Sequence, residues 1–306
     1  AIEAKEFDIK NFNVVKNRLY DEILSVGENI SRVSLKKALE KLDSKSPTSY
    51  GVLGTVEELE NISPKTLADA YQDLITSNCD IYVIGDLDMD QVANIIFKYF
   101  KNPVVKTKEL PDLYVSNPAF KRVRSFSEKS KFLETNLVQL YSLDDLTEKE
   151  RITTLYFYNF LLGGGGLNTK LYQLLREKNS LCYGVKSVYL KYDNLLLIQT
   201  SINKNDVKKA QRLIKQAFLE MKKGEFSEEE LQNAKESFIF SLNLSLDNPG
   251  GILNNYVFHI LDHLPLIEDR IKMIEEITKE EIVAVASKIK PNISFVLEGE
   301  EDHGNN

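Results

Sequence analysis

The spacing of hydrophobic residues along the chain predicts a mixture of helices and strands. In the second half, apolar residues recur every three or four positions and stop before Gly224, a residue type that commonly ends helices. Two short apolar runs, residues 134–143 (ETNLVQLYSL) and 194–202 (NLLLIQTSI), instead have the composition of strands. We therefore expect an α+β fold in which the helical stripe faces the core: Val207, Ala210, Ile214, Ala217, Phe218 and Met221.

Capping residues mark the expected helix starts. Ser63 precedes Pro64, an arrangement typical of the first turn of a helix. A Ser or Thr followed three residues later by Glu forms a capping box, in which side chains and backbone amides satisfy one another's hydrogen bonds. Such boxes predict further helix starts at Thr147–Glu150, Ser227–Glu230 and Thr278–Glu281.

The order of these patterns indicates an internal repeat. A capped helix followed by a strand, LENISPKTLADAY and then CDIYVIGD, returns near the C-terminus as IEEITKEEIVAVASKI and then NISFVLEG. Ser63 corresponds to Thr278 and Gly85 to Gly299, at separations of 215 and 214 residues. Extending the offset aligns the helical segment 12–26 with the one that begins after Ser227.

The repeat predicts two similar α+β domains, each an antiparallel-rich sheet with helices packed on one face. Residues 1–108 would be the C-terminal part of the first domain, and residues 109–306 a complete second domain. The first copy starts only at the equivalent of its later half, so we expect the first domain to be incomplete in this chain.

The composition excludes several classes of protein. The 306 residues are 42% hydrophobic and 28% charged, and no apolar run approaches the roughly 20 residues needed to span a bilayer. A formal net charge of -7 provides no basic surface for nucleic acid. Two cysteines are few for a secreted disulfide framework, and no signal-peptide pattern is present. We predict a cytoplasmic protein with no nucleic-acid or membrane partner.

The most specific pattern is LLGGGGLNTKLYQLLREKNSLCYGV, residues 161–185. Its glycines, Gly163–Gly166, lack the G-x-x-x-x-G-K-[ST] spacing of a phosphate-binding loop and follow a predicted helix. A helix-ending turn is therefore their simplest interpretation, because glycine tolerates positive φ. Arg176 and Tyr183 follow, seven positions apart. On local grounds alone, Arg176 is a helix-end ion-pair residue and Tyr183 belongs to an amphipathic strand.

Together with GVLGTVEELENIS and CDIYVIGDLD, this stretch resembles the insulinase/pitrilysin-type peptidase family, which includes mitochondrial processing peptidase and its bacterial relatives. The resemblance extends over nearly the whole chain, with the motifs in the same order. It implies two similar domains that face each other around a chamber for an extended peptide substrate. It also implies a homo- or heterodimer with a related peptidase-like chain.

Active members of this family carry an inverted zinc motif, H-x-x-E-H, on a helix of the first domain, and a downstream Glu completes the metal shell. This chain has no such motif at that place. Glu22 matches the third ligand, but Val15 stands seven positions earlier, where active members carry a second Glu. A solvated helix residue is the simpler interpretation of Glu22. We expect no cofactor in this chain, and zinc only if a further segment carries H-x-x-E-H.

By the same resemblance, Arg176 and Tyr183 correspond to a pair that holds the substrate backbone near the scissile bond. A guanidinium offers a planar fork of donors, and a phenol donates to a developing oxyanion. The glycines correspond to a loop that contacts substrate in the zinc-lacking subunit of processing peptidase, although catalytic members also have a short cluster there. No catalytic residue is predicted in this chain. The predicted substrate-binding residues are Arg176, Tyr183, Gly163, Gly164, Gly165 and Gly166.

A second motif, HILDH, is one methylene short of the inverted zinc motif. Helical spacing would place His259 and His263 on one face, with Asp262 beside them. The motif lies far from the family's zinc position and is followed at once by Leu264 and Pro265. We interpret it as a structural helix end. The third histidine belongs to the polar tail EGEEDHGNN.

Three functions are consistent with these patterns. The first is a zinc-lacking homologue that forms half of a peptide-binding chamber, favoured by Val15. The second is the remainder of an active zinc endopeptidase whose H-x-x-E-H segment is absent from this chain, which Glu22 fits. The third is a purely structural scaffold subunit. In each case we expect no peptidase activity from this chain by itself.

Overall fold

The first part of the chain is helical. The computed structural model describes residues 8–77, 79–100, 115, 117 and 120–300. Ser63 and Thr66 form a reciprocal cap at the predicted helix start, with Pro64 in the first turn. The helices of this part are α1 (Ile9–Val26), α2 (Ile30–Asp43), α3 (Pro47–Tyr50), α4 (Val56–Asn61), α5 (Pro64–Ile75) and α6 (Met89–Tyr99).

The strand predicted at CDIYVIGD is not formed. Residues 79–86 are assigned to no strand, and Ile81 and Val83 are exposed. A β-strand is stable only where a neighbouring strand pairs with its backbone amides and carbonyls. In the part of the chain that the structure describes, no strand pairs with this segment. The prediction was wrong because a strand-like composition does not supply that neighbour.

The second part contains a mixed sheet with strand order β1-β5-β2-β4-β3. β1 and β5 are parallel, and the other neighbouring pairs are antiparallel. The strands predicted from the apolar runs at 134–143, 194–202 and NISFVLEG are confirmed as β2, β4 and β5. The strands are β1 (Arg124–Lys129), β2 (Thr135–Leu143), β3 (Cys182–Leu190), β4 (Leu195–Ile202) and β5 (Ile289–Glu298).

The helices of the second part begin at the predicted caps. The capping boxes at Ser227 and Thr278 are formed, and the Thr147 amide donates a 2.7 Å bond to Glu150. Gly224, with φ +68°, ends α9 in the left-handed conformation. The helices are α7 (Leu155–Asn159, extended by the π-helical turns Glu150–Thr154 and Phe160–Gly164), α8 (Lys170–Tyr172, extended by the π-helical turn Gln173–Glu177), α9 (Val207–Lys223), α10 (Glu228–Ser245), α11 (Pro249–Asp262), α12 (Ile267–Glu276) and α13 (Lys279–Lys288).

One face of the sheet is covered by helices of the same part. Side chains from β2, β4 and β5 pack there with α7, α9 and α13 in one hydrophobic core. The predicted stripe of α9 lies in this core, because Ala210, Ile214, Ala217 and Met221 are buried and its other members pack against it. The sequence pattern therefore identified the inner face of α9 correctly, and the α+β fold is confirmed.

The opposite face of the sheet is covered by α2. Ala38, Leu39 and Leu42 pack there against apolar residues of β2, β4 and β5. Polar contacts fix the helix: the Ser34 hydroxyl lies 2.5 Å from Asn136 Oδ1, on β2. Burial of both faces stabilises the sheet through the hydrophobic effect, and it makes a helix from the first part of the chain necessary to the core of the second.

Helix lengths in the two parts correspond. α1 and α10 each have 18 residues, and α2 and α11 each have 14. The predicted repeat nevertheless stays a prediction, because the strand that it requires at residues 79–86 is not formed. The predicted boundary between residues 108 and 109 lies outside the described residues, so the division into two domains stays a prediction. Among the described helices, none has both the length and the apolar character that crossing a membrane requires.

Candidate functional site

Arg176 and Tyr183 lie against each other. Arg176 is in the π-helical turn after α8, and Tyr183 is the second residue of β3. Nη1 of Arg176 donates a 2.6 Å hydrogen bond to the carbonyl oxygen of Tyr183. The guanidinium carbon lies 4.7 Å from the centre of the Tyr183 ring, within the range of a cation–π interaction. The structure thus places in contact the two residues that the sequence pattern singled out.

A tight reversal of the chain makes this contact. The Ser180 amide donates a 2.8 Å bond to the carbonyl of Arg176, and the Leu181 amide donates a 2.9 Å bond to the carbonyl of Leu175. Ser180 adopts a left-handed backbone conformation with φ 51°. Leu175 and Leu181 are both buried, which anchors the turn in the core. The helix end and the start of β3 are therefore held side by side.

The two side chains differ in their surroundings. Tyr183 is 88% exposed, so most of its side chain is open to solvent. Nε of Arg176 lies 3.9 Å from the carboxylate of Glu177, and both side chains are partly exposed. An ion pair at this distance and exposure contributes little to the stability of the fold. The guanidinium is also 5.2 Å from the ring of Tyr172. Two aromatic contacts and the hydrogen bond to the Tyr183 carbonyl, rather than an ion pair, hold Arg176.

Cys182 stands next to Tyr183 but is not an activated nucleophile. Burial raises the pKa of its thiol, and contacts with Thr200 and Arg176 offset this only in part. A thiol whose pKa is raised stays protonated at neutral pH, and the protonated form is a poor nucleophile. The site therefore provides hydrogen-bond donors and aromatic surface, without a reactive thiolate.

A cleft of about 1280 Å³ opens beside Tyr183, lined by the starts of β2 and β3, the end of β4 and Ser31 of α2. Polar residues of the neighbouring strands β2 and β4 form part of its lining. Gln199 Nε2 donates to Asn136 Oδ1 at 2.9 Å and to the Ser31 carbonyl at 2.7 Å. Both Gln199 and Asn136 are buried. Arg176 is not part of this lining, so Tyr183 is the residue that the pair and the cleft share.

Three of the four glycines have structural reasons of their own. A Cβ at Gly163 would lie 2.8 Å from side-chain atoms of both Leu171 and Ser187, so only glycine allows the close approach to β3. At Gly165 a Cβ would lie 2.7 Å from a backbone oxygen of the preceding helix. Gly166 has φ +87°, which glycine adopts without strain. None of them lines the cleft, and contact of these glycines with substrate stays a prediction.

The described residues do not fit a zinc centre. Glu22 is exposed on α1, and no group of three or more His, Cys, Asp or Glu residues that could hold a metal occurs in the described part of the chain. In the H-x-x-D-H motif, Nδ1 of His259 lies 2.8 Å from the Leu264 carbonyl oxygen, and Asp262 accepts hydrogen bonds from Tyr192. His263 caps the end of α11 with φ 53°. The motif thus forms a structural helix end.

Two residues of the site were missed by sequence reasoning. Tyr172 lies one helical turn before Arg176, and this spacing of four residues could have indicated a contact. Thr200, on β4, donates a 2.8 Å bond from its hydroxyl to the carbonyl of Gly184, next to Tyr183. No local signal connects Thr200 to the site, because the contact depends on strand pairing.

Similar proteins are known. Residues 61–238 match the family described as "Peptidase M16 inactive domain". The Bacillus subtilis protein named "Probable inactive metalloprotease YmfF" is 26% identical over 305 residues, which are 98% of this chain and 70% of that protein. A second Bacillus subtilis protein, "Uncharacterized zinc protease YmxG", is 25% identical over 247 residues, or 79% of this chain and 58% of that protein.

Among solved structures, a conserved protein from Enterococcus faecalis V583 superposes with a TM-score of 0.85. It is 24% identical, and the match covers 99% of this chain and 71% of that one. At this identity the likeness supports the fold. The family match covers more than half of the chain, and the chain belongs to the Peptidase M16 inactive domain family.

Proposed function

We propose that this chain is a zinc-lacking, non-catalytic homologue that binds an extended peptide and forms half of a peptide-binding chamber. One observation carries the proposal: Tyr183 is 88% exposed while its backbone and ring are both held by Arg176. A large aromatic side chain that is fixed and exposed beside a cleft suits the binding of a ligand.

The chemistry of the pair suits a peptide backbone. A guanidinium has five N–H donors, and the Nη1 bond to Tyr183 leaves others of Arg176 available to a substrate carbonyl or carboxylate. The Tyr183 hydroxyl is a donor on the exposed side chain. Both groups bind carbonyl oxygens without regard to the side chains of a peptide, so we expect broad sequence tolerance.

The absence of catalysis is supported by the donor set. The described histidines, Asp262 and Glu22 are separate or engaged in structural contacts, and the relative with the longer match is named as inactive. The alternative, the remainder of an active zinc endopeptidase, is favoured by the exposed Glu22 and by the relative named as a zinc protease. One bound zinc in the protein purified from its own source, detected by native mass spectrometry, would favour this alternative.

The test is binding of a fluorescein-labelled decapeptide library, followed by fluorescence anisotropy. We expect Arg176→Ala to weaken binding about tenfold or more, because a hydrogen bond to a charged group contributes about 1.5–3 kcal/mol. Tyr183→Phe, which removes only the hydroxyl, should have a smaller effect. Arg212→Ala and Tyr256→Phe are matched controls at exposed positions on α9 and α11. Equal binding by all five proteins would refute peptide binding at this pair.

We propose a related peptidase-like chain as the partner that completes the chamber, either a second copy or a different chain. Native mass spectrometry of the protein purified from its own source tests this. A stable complex of two related chains is the expected result. A monomer that binds the decapeptide library as tightly as the native assembly would contradict the need for a partner.

A further inference from the structure

The start of β3 contains a β-bulge at the candidate site. The ladder with β4 pairs Cys182 with Ile202 and next pairs Val185 with Thr200. β3 therefore holds one residue more than β4 in this interval. An extra residue of this kind bends the strand and changes the direction of its side chains, and bulges occur often beside functional sites. Tyr183 and Gly184 are the two residues inside the bulge.

Both carbonyl groups of the bulge are bound by side chains. The carbonyl of Tyr183 accepts the 2.6 Å bond from Nη1 of Arg176. The carbonyl of Gly184 accepts the 2.8 Å bond from the hydroxyl of Thr200. Arg176 approaches from the end of a helix, and Thr200 from the neighbouring strand. β3 is at the edge of the sheet, so a regular ladder with β4 would bind at most one of two consecutive carbonyls through backbone amides. Here a side chain binds each of them.

We propose that Thr200 is a positioning residue for Arg176 and Tyr183. Its hydroxyl holds the Gly184 carbonyl and so keeps the bulge in the form that presents the Tyr183 carbonyl to Arg176 and leaves the Tyr183 ring exposed against the guanidinium. The consequence for peptide binding rests on the proposed function, whereas the positioning itself is a property of the fold that can be measured without a peptide.

Because Thr200 is buried, the role of its hydroxyl can be tested separately from the packing of its side chain. The residue is 3% exposed, and a buried β-branched side chain in a strand would serve equally well as valine if only packing mattered. Thr200→Val keeps the shape and removes the hydroxyl, while Thr200→Ser keeps the hydroxyl. Thr153 is a matched control, because it is also 3% exposed and its hydroxyl lies 3.6 Å from the sulfur of Met273, a weak contact far along the chain.

A single tryptophan gives a direct readout of the positioning. The chain contains no Trp, so Tyr183→Trp provides a fluorophore only at the site. In this background we expect Thr200→Val to lower the residual anisotropy of the indole in time-resolved measurements. Thr200→Ser should restore most of it, and Thr153→Val should leave it unchanged. Equal residual anisotropy in the Tyr183→Trp protein and in its Thr200→Val and Thr200→Ser variants would overturn the proposal.

A second readout keeps the natural tyrosine. Hydrogen exchange measured by mass spectrometry should show faster exchange in residues 181–190 for Thr200→Val and near-normal exchange for Thr200→Ser. If Thr200→Val does not fold, Thr200→Ala replaces it in both measurements. Unchanged exchange in this segment for every folded variant that lacks the hydroxyl would likewise count against positioning.

The peptide arm separates this inference from the proposed function. With the decapeptide library we expect Thr200→Val to weaken binding about fivefold, the range of one neutral hydrogen bond, and to add no further loss in an Arg176→Ala background. If Thr200→Val lowers the residual anisotropy of the indole but no protein binds the peptides measurably, positioning is supported and the proposed function is rejected. If Thr200→Val leaves both the indole anisotropy and the hydrogen exchange unchanged while peptide binding depends on Arg176, the proposed function is supported and positioning is rejected.

Discussion

Lys191 and Asp262 form an ion pair with 3.2 Å between Nζ and Oδ2, and each side chain is 6% exposed. Lys191 directly follows β3, and Asp262 ends α11, so the pair joins the sheet to this helix. The Tyr192 hydroxyl lies 2.5 and 2.6 Å from the two carboxylate oxygens. The acidic residue of the H-x-x-D-H motif is thus bound by a buried cation and a hydroxyl.

Removal of this carboxylate should be strongly destabilising. Asp262→Ala leaves the Lys191 ammonium buried without its counter-charge, and breaking a buried pair from one side costs about 3–5 kcal/mol. We expect a loss of this size in the free energy of unfolding, measured by urea denaturation. The double variant Lys191→Met, Asp262→Ala should recover much of the loss, because no charge is then buried.

Asp269→Ala is the control for this comparison. Asp269 pairs with Lys272 at 3.3 Å, but both side chains are largely exposed. Exposed pairs contribute at most about 1 kcal/mol, so this variant should unfold close to the unsubstituted protein. Equal losses for Asp262→Ala and Asp269→Ala would contradict the buried role of Asp262.

The same contacts predict that zinc does not stabilise this chain. His259 and Asp262 are engaged by the Leu264 carbonyl and by Lys191 with Tyr192, and Glu22 stands alone on α1. A ligand that binds only the folded state raises its stability by mass action. We expect the same thermal midpoint in excess EDTA and in 100 µM zinc chloride. A midpoint that rises with zinc concentration, and no longer rises in His259→Gln, would establish a site at this motif.

The parts of the fold that were predictable depend on local chemistry. A capping box involves residues three positions apart, so Ser227 and Thr278 identify their helices without knowledge of the rest of the chain. The inner face of α9 follows from helical periodicity, and Gly224 from the need for positive φ. Arg176 and Tyr183 were found through a resemblance in the intervening residues, and a short turn brings them together.

The parts that were not predictable depend on distant neighbours. The segment CDIYVIGD has the composition of a strand, but strand formation requires a pairing partner, and composition does not reveal one. The packing of α2 on the sheet joins residues about a hundred positions apart, as in the contact of Ser34 with Asn136. The bond from Thr200 to the bulge likewise depends on the register of β3 and β4.

The attachment of α2 to β1 should depend on pH. Glu128 lies 2.5 Å from Nζ of Lys37 and 2.9 Å from Nζ of Lys41. Hydrogen bonds from Lys37 and then Lys41 lower the pKa of Glu128 below its ordinary value. A carboxyl group whose pKa is lower in the folded state stabilises the protein above its unfolded pKa of about 4.3, and this contribution is lost as the pH falls through the folded pKa.

The comparison of the unsubstituted protein with Glu128→Gln isolates this effect. At pH 7 we expect the variant to be less stable by up to about 1 kcal/mol, since these side chains are partly exposed and water screens the pair. As the pH is lowered below about 4, the two free energies of unfolding should converge. Urea denaturation at pH 7, 5 and 3 measures the difference, and a gap that stays constant or widens toward pH 3 would contradict the linkage.

The glycine cluster should be needed for packing at one position and for backbone conformation at another. A Cβ at Gly163 would come within 2.8 Å of Leu171 and Ser187 side-chain atoms, so Gly163→Ala should overpack the contact with β3 and cost about 1–3 kcal/mol. At Gly166 a Cβ meets nothing within 4 Å, but φ +87° is unfavourable for alanine, by about 1–2 kcal/mol. Gly184→Ala, which has neither a close contact nor a left-handed φ, is the control.

A second substitution, Leu171→Ala, separates the steric cause at Gly163 from the backbone cause at Gly166. Leu171→Ala removes the side chain that an alanine at position 163 would meet, so adding Gly163→Ala to Leu171→Ala should cost less than adding it to the unsubstituted protein. The same second substitution should leave the cost of Gly166→Ala unchanged, because no side chain causes that strain. Additive costs at position 163, measured by urea denaturation, would mean that the contact with Ser187 on β3, and not the approach to Leu171, is what requires glycine there.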